Sequence, residues 1–160
     1  MLDVIEHVED DAGFVRSVVD ELLVPGGFAL VSVPAWSELF TSHDVGLRHH
    51  RRYSPASCRK LLQGAGLEVV REGGLFHTLL PVRVGQVLME RARPVKSLDG
   101  GIGRWRRGPL LTTVCTRGLM LDGRLSLWLS SRGWALPGLS YWALCRRRRA
   151  ELLVEALPVL

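Results

Sequence analysis

The stretch MLDVIEHVEDDAGFVRSVVDELLVPGGFALVSVP, residues 1–34, decides the fold. Leu2, Val4 and Ile5 form a short apolar run, the tail of a buried strand, that stops at Glu6-His7. Glu9, Asp10 and Asp11 follow, where the partial positive charge of a helix N-terminus favours carboxylates. Phe14, Val15, Val18, Val19, Leu22 and Leu23 then recur at helical spacing and make one apolar face. Pro25-Gly26-Gly27 ends that helix. Residues 28–33 are a nearly continuous apolar run closed by Pro34, the pattern of a strand covered on both faces. A strand, a crossover helix and a parallel strand make one right-handed unit of a doubly wound α/β sheet.

Beyond it, residues 35–50 read as a loop carrying Trp36, Phe40, His43, Asp44, His49 and His50. Loops at the carboxyl ends of parallel strands are where ligands sit in such sheets. Ser54-Pro55 is an N-cap followed by proline at the first helical position, which predicts a helix over 56–63 stopped by Gly64-Ala65-Gly66. A strand over 67–70 follows. Residues 76–89 have helical spacing, 93–109 read as a glycine- and arginine-rich linker, and 110–129 as one or two helices. Residues 141–145 read as a last strand closed by Arg146–Arg149, and 151–160 as a short tail.

With 160 residues the chain is long enough for one domain with its own core. Three widely spaced cysteines, Cys58, Cys115 and Cys145, fit neither a disulfide framework nor a zinc site and point to a reducing, cytoplasmic setting. Acidic residues occupy the place of a signal peptide's positive region. The formal charge of +5 is concentrated in basic runs at 49–52, 104–107 and 146–149, with no nucleic-acid motif beside them. Solvated faces are therefore expected, with no nucleic-acid partner. Residues 125–145 are long enough to span a bilayer but hold Arg132, Gly133, Pro137 and Gly138. Peripheral contact with the inner face of the membrane, helped by the following arginines, is the better membrane expectation.

Two constellations carry chemistry. Asp3, Glu6 and His7 stand at i, i+3 and i+4, so that in a helical turn they share one side, and two carboxylates with an imidazole suit a divalent ion. A metal-free pocket wall and a purely structural role are the alternatives. His43 beside Asp44 makes a candidate general base for an acceptor proton. His49, Arg51, Arg52 and Tyr53 follow, with the arginines able to clamp a carboxylate or phosphate. The competing reading has Arg51 and Arg52 pairing with the acidic helix.

The segments DVIEHVEDD, LLVPGGFALVSVP and HDVGLRHHRRYSPASCRKLLQGAGLEVV, in that order, resemble the C-terminal half of a class I S-adenosylmethionine-dependent methyltransferase, over roughly the first 75 residues. The His-Asp…His-x-Arg-Arg-Tyr set resembles that of a bacterial subgroup, and Asp3-x-x-Glu6-His7 resembles a Glu-x-x-Glu-His metal motif with aspartate for the first glutamate. The resemblance implies a partial Rossmann-like methyltransferase fold, from the fourth strand onward, with a helical insertion before the last antiparallel strand. It implies a methyltransferase half at 1–75, an insertion at 76–135, the final strand at 136–149 and a tail at 150–160.

It further implies S-adenosylmethionine as cofactor near Leu2 and Asp3, a small-molecule O or N acceptor near His49, Arg51, Arg52 and Tyr53, and His43 with Asp44 as catalytic pair. A divalent metal on Asp3, Glu6 and His7 is the optional addition. The glycine-rich cofactor turn is not among these residues; Asp99-Gly100-Gly101-Ile102-Gly103 lacks the flanking strand and helix such a turn needs. Weak cofactor affinity is expected of this chain, with the cofactor-binding half or a second copy completing the sheet. The alternative is a non-catalytic remnant that binds a partner or a membrane surface.

Overall fold

The computed structural model describes residues 1–92 and 108–148. The predicted loop at 99–103, the basic run at 104–107 and the tail lie outside the described residues. Helix α1 (Asp11–Leu22) starts where the acidic trio predicts, with the Asp10 carboxylate accepting from the Gly13 N–H at 2.9 Å. Strand β1 (Phe28–Pro34), short helix α2 (Ser42–Gly46), helix α3 (Pro55–Gly64), strand β2 (Leu67–Leu75), helices α4 (Leu80–Ala92) and α5 (Pro109–Ser130), and strand β3 (Ser140–Arg147) follow.

The sheet order is β1-β3-β2, and β3 runs antiparallel to both neighbours, so β1 and β2 are parallel to each other. The last strand therefore pairs in the antiparallel sense that the resemblance implies. One face of the sheet is covered by α1 and α3. There Val15, Val19, Cys58 and Leu62 meet Val31, Val33, Leu67, Ala143 and Cys145, all buried. The Arg147 guanidinium closes the carboxyl end of α1, donating to the carbonyls of Val19 at 2.6 Å and Leu23. A cation satisfying a helix's last carbonyls explains part of a basic run that reads as solvated in sequence.

The structure corrects several expectations. The apolar run at 2–5 is not a buried strand: Leu2 makes a single parallel bridge to Ser32 and is 59% exposed, and Ile5–His7 turn into a 3-10 helix. Strand β1 is covered on both faces only in its second half: Val31, Ser32, Val33 and Pro34 are all buried, whereas Phe28 is 61% and Leu30 47% exposed. Alternation across the pleat puts Phe28 and Leu30 on the face that α1 and α3 do not reach. The stretch at 35–50 is not one loop but contains a 3-10 turn (Ser37–Leu39) and α2. Strand β2 runs on to Leu75, past a bulge between Val69 and Arg71. Residues 125–145 do not span anything: they divide between the end of α5, a connection and β3, and no described helix is long and apolar enough to cross a membrane.

All three cysteines are free. Burial pushes the thiols of Cys58 and Cys145 up to about 12 and about 11, which keeps both protonated and unreactive.

Candidate functional site

The turn at Ile5–His7 and the segment between β1 and α3 come together beside the carboxyl end of β1. The His50 N–H donates to the Glu6 carbonyl at 2.7 Å, the Tyr53 N–H donates to the Pro34 carbonyl at 3.0 Å, and Ala35 and Tyr53 form a parallel bridge. Asp44 is the hub. Thr41 caps α2, and the third residue of that helix, Asp44, reaches back to accept from the Thr41 N–H at 3.0 Å, a capping box. The same carboxylate accepts from Arg52 Nε at 2.7 Å and Arg83 Nη2 at 2.7 Å, and lies 3.2 Å from His49 Nδ1.

Burial alone would raise the Asp44 pKa, yet the Arg52 charge, the Thr41 N–H and the Arg83 charge together hold it below its ordinary value. His49 moves down as burial outweighs its carboxylate partner. Arg83, on α4, has no sequence signal that ties it to this loop; it is recruited by the packing of α4 under residues 39–44, where it also donates to the Thr41 hydroxyl at 2.6 Å.

The sequence-predicted residues divide into three groups. His43 and Asp44 are neighbours in sequence but not partners: His43 is exposed, and its ring has no hydrogen-bond partner among the described residues. Arg51, Arg52 and Tyr53 are engaged within the fold. Arg51 donates to Asp11 at 2.9 Å and to the Glu9 carbonyl at 2.7 Å; Arg52 also donates to the Ala35 carbonyl at 3.1 Å. The Tyr53 hydroxyl donates to Asp11 at 2.7 Å, and burial with that carboxylate pushes its pKa well above the ordinary phenol value. Arg51 and Tyr53 thus tie this loop to the start of the acidic helix, as the competing sequence reading had for Arg51, whereas Arg52 pairs with Asp44 instead of that helix.

Of the metal candidates, Asp3 turns away, with its backbone at φ 51° and its carboxylate accepting from the Ser32 hydroxyl at 3.2 Å. Leu2 lies along the same β1 edge. Glu6 is fully buried, and burial raises its pKa. Glu6, His7 and His49 each bring one ligand atom within 4.8 Å of the others. Carboxylate plus two imidazoles is a donor set for a borderline divalent ion. Two of the three residues expected from sequence, Glu6 and His7, are therefore in the cluster, with the imidazole of His49 in place of the carboxylate of Asp3.

A second opening, a pocket of about 390 Å³, lies at the carboxyl ends of β1 and β2 and is lined by Trp36, Arg59, Glu72, Pro137 and Tyr141 among others. Its size is that of a small-molecule site. Sequence reasoning missed it, because residues 35–36, 72–74 and 135–141 meet only through the pairing of β3 with both β1 and β2. The pocket's charged groups are Arg59 and Glu72, an ion pair, and burial of Glu72 is outweighed by the Arg59 and Tyr141 hydrogen bonds that hold its pKa low.

No protein-family profile matches the chain. Over 76 residues, 46% of the chain, it is 41% identical to a Mycolicibacterium smegmatis protein named "Probable S-adenosylmethionine-dependent methyltransferase". That match covers 29% of the relative, so the chain spans less than a third of the length of the curated protein it matches. Similarity to part of a methyltransferase, on a mixed α/β frame with a three-stranded sheet, is what the comparison supports.

Proposed function

We propose that this chain is the acceptor-side part of an S-adenosylmethionine-dependent methyltransferase that acts on an oxygen or nitrogen of a small molecule. The observation that carries the reading is the 41% identity over 76 residues to a protein of that name. It is supported by a loop rich in ionisable groups at the carboxyl end of β1, the side where open α/β sheets bind ligands. Methyl transfer needs little from side chains, because the sulfonium is already activated; alignment and exclusion of water do most of the work.

In this reading the network of Asp44 with Arg52 and Arg83 holds the loop in one shape. His43, exposed and unengaged, takes the acceptor's proton. Transfer of label from methyl-tritiated S-adenosylmethionine to a small-molecule fraction is the test. Chain-dependent transfer that falls roughly 10- to 100-fold in His43→Ala, with cofactor affinity unchanged, is the expected result. Absence of transfer both by the chain alone and by the chain supplied with a cofactor-binding half overturns the enzymatic reading, and unchanged turnover in the variant removes His43 from the mechanism.

A second reading, attachment to an anionic membrane surface, is favoured by one observation. Helix α5 leaves Leu110, Val114, Met120, Leu121 and Trp128 more than half exposed, alongside Arg117, Arg124 and Arg132. Apolar side chains interleaved with arginine suit the headgroup boundary of a bilayer.

A further inference from the structure

We infer that Glu6, His7 and His49 form a binding site for a borderline divalent transition-metal ion of the zinc or cobalt class, with Asp44 as its orienting group and without Asp3. Three independent features carry it. The first is Glu6, which is fully buried and whose two carboxylate oxygens have no hydrogen-bond partner. A buried carboxylate with no partner costs several kcal/mol unless it is neutralised, and the neighbouring Arg52 is already spent on Asp44 and the Ala35 carbonyl. A cation between Glu6 and the imidazoles removes that cost.

The second feature is how the imidazoles are held. His7 Nδ1 lies 3.2 Å from the Arg48 carbonyl, and His49 Nδ1 lies 3.2 Å from Asp44 Oδ1. A carbonyl can only accept, so His7 donates from Nδ1. The ionised Asp44 likewise takes the Nδ1 proton of His49. Each ring then presents an unprotonated Nε2, the tautomer a metal requires, and the carboxylate–histidine pair is the usual support behind a metal-bound imidazole. The two rings lie edge to face with centroids 4.7 Å apart, so neither stacks flat against the other.

The third is geometry and access. A carboxylate oxygen of Glu6 and one ring nitrogen each of His7 and His49 lie within 4.8 Å of one another. Bond lengths of about 2.0–2.2 Å around a tetrahedral ion put ligand atoms roughly 3.3 Å apart, so side-chain adjustment of about an ångström or so closes the site. Glu6 is buried, His49 half-buried and His7 exposed, which gives the ion an entry path from the His7 side. Three protein ligands leave at least one position for water or an oxygen of a bound small molecule. The site does not depend on the methyltransferase reading, because its test reads metal alone.

The experiment is titration of Co²⁺ into the chelator-stripped chain, followed by visible absorption and calorimetry, with Zn²⁺ as competitor. One saturable equivalent, with visible bands of a four- or five-coordinate ion that Zn²⁺ abolishes, is expected. Glu6→Gln and His49→Ala each weaken binding by about a hundredfold, Asp44→Asn by about 10- to 100-fold, and His50→Ala by less than threefold. His7→Ala, at an exposed position, weakens binding without risk to the fold and keeps the test decisive if a buried variant does not fold. Absence of a saturable site in the folded chain overturns the proposal. So does affinity that survives His7→Ala and His49→Ala, or affinity that is lost in Asp3→Asn while His49→Ala retains it.

Discussion

Asp44 has no exposed surface and still carries a charge, because four donors surround it: the Thr41 N–H, Arg52, Arg83 and His49. Replacing Asp44 by Ala leaves two buried guanidinium groups without their carboxylate, and breaking a buried ion pair this way costs about 3–5 kcal/mol. A fall of that size in unfolding free energy by urea denaturation is expected; a fall below about 1 kcal/mol would place the network at the level of a surface pair. The sequence made Asp44 noticeable but paired it with the wrong histidine. Adjacent residues on a helix point about 100° apart, so the capping box that turns Asp44 inward turns His43 outward. His49 reaches Asp44 because the chain doubles back after α2, a fact of loop path that spacing cannot express.

Among the elements, those with strong local signals are legible and those that depend on a partner are not. Helices α1 and α3 stand within a few residues of where their caps and periodicity place them, with Ser54 Oγ accepting from the Ser57 N–H at 3.1 Å. From sequence, strand β2 reads as residues 67–70, ahead of Arg71-Glu72. It continues because β3 pairs with it through Leu75. Gly73 and Gly74 are there for close approach: a Cβ on Gly74 would overlap the backbone nitrogen of Gly138 and the carbonyl oxygen of Leu136. Gly74→Ala therefore forces backbone apart and should destabilise by about 1–3 kcal/mol. Gly64→Ala, where nothing lies within 4 Å of the new Cβ, should be neutral or slightly stabilising. Equal melting temperatures for the two variants would contradict this packing.

At the scale of the whole molecule the unusual property is apolar surface. Phe28 and Leu30 are exposed on one sheet face, Val82, Leu88 and Met89 on α4, and Leu110 to Trp128 along α5. With a formal charge of +5, the membrane-surface reading predicts sedimentation of the chain with phosphatidylglycerol vesicles. Binding should weaken with added salt and with Leu121→Glu; no sedimentation with these vesicles would end that reading. By itself the sequence determined the α/β class, the starts of α1 and α3, the antiparallel last strand by resemblance and part of the residue set of the candidate site, because caps, periodicity and turn chemistry act over a few residues. Only the tertiary structure decided that β3 lies between β1 and β2, that α5 packs on the sheet face opposite α1 and α3 and leaves Phe28 and Leu30 exposed, and that Glu6 meets His7 and His49 rather than Asp3. Those outcomes depend on contacts between segments about 40 to more than 100 residues apart, which burial and hydrogen bonding select together and no local pattern encodes.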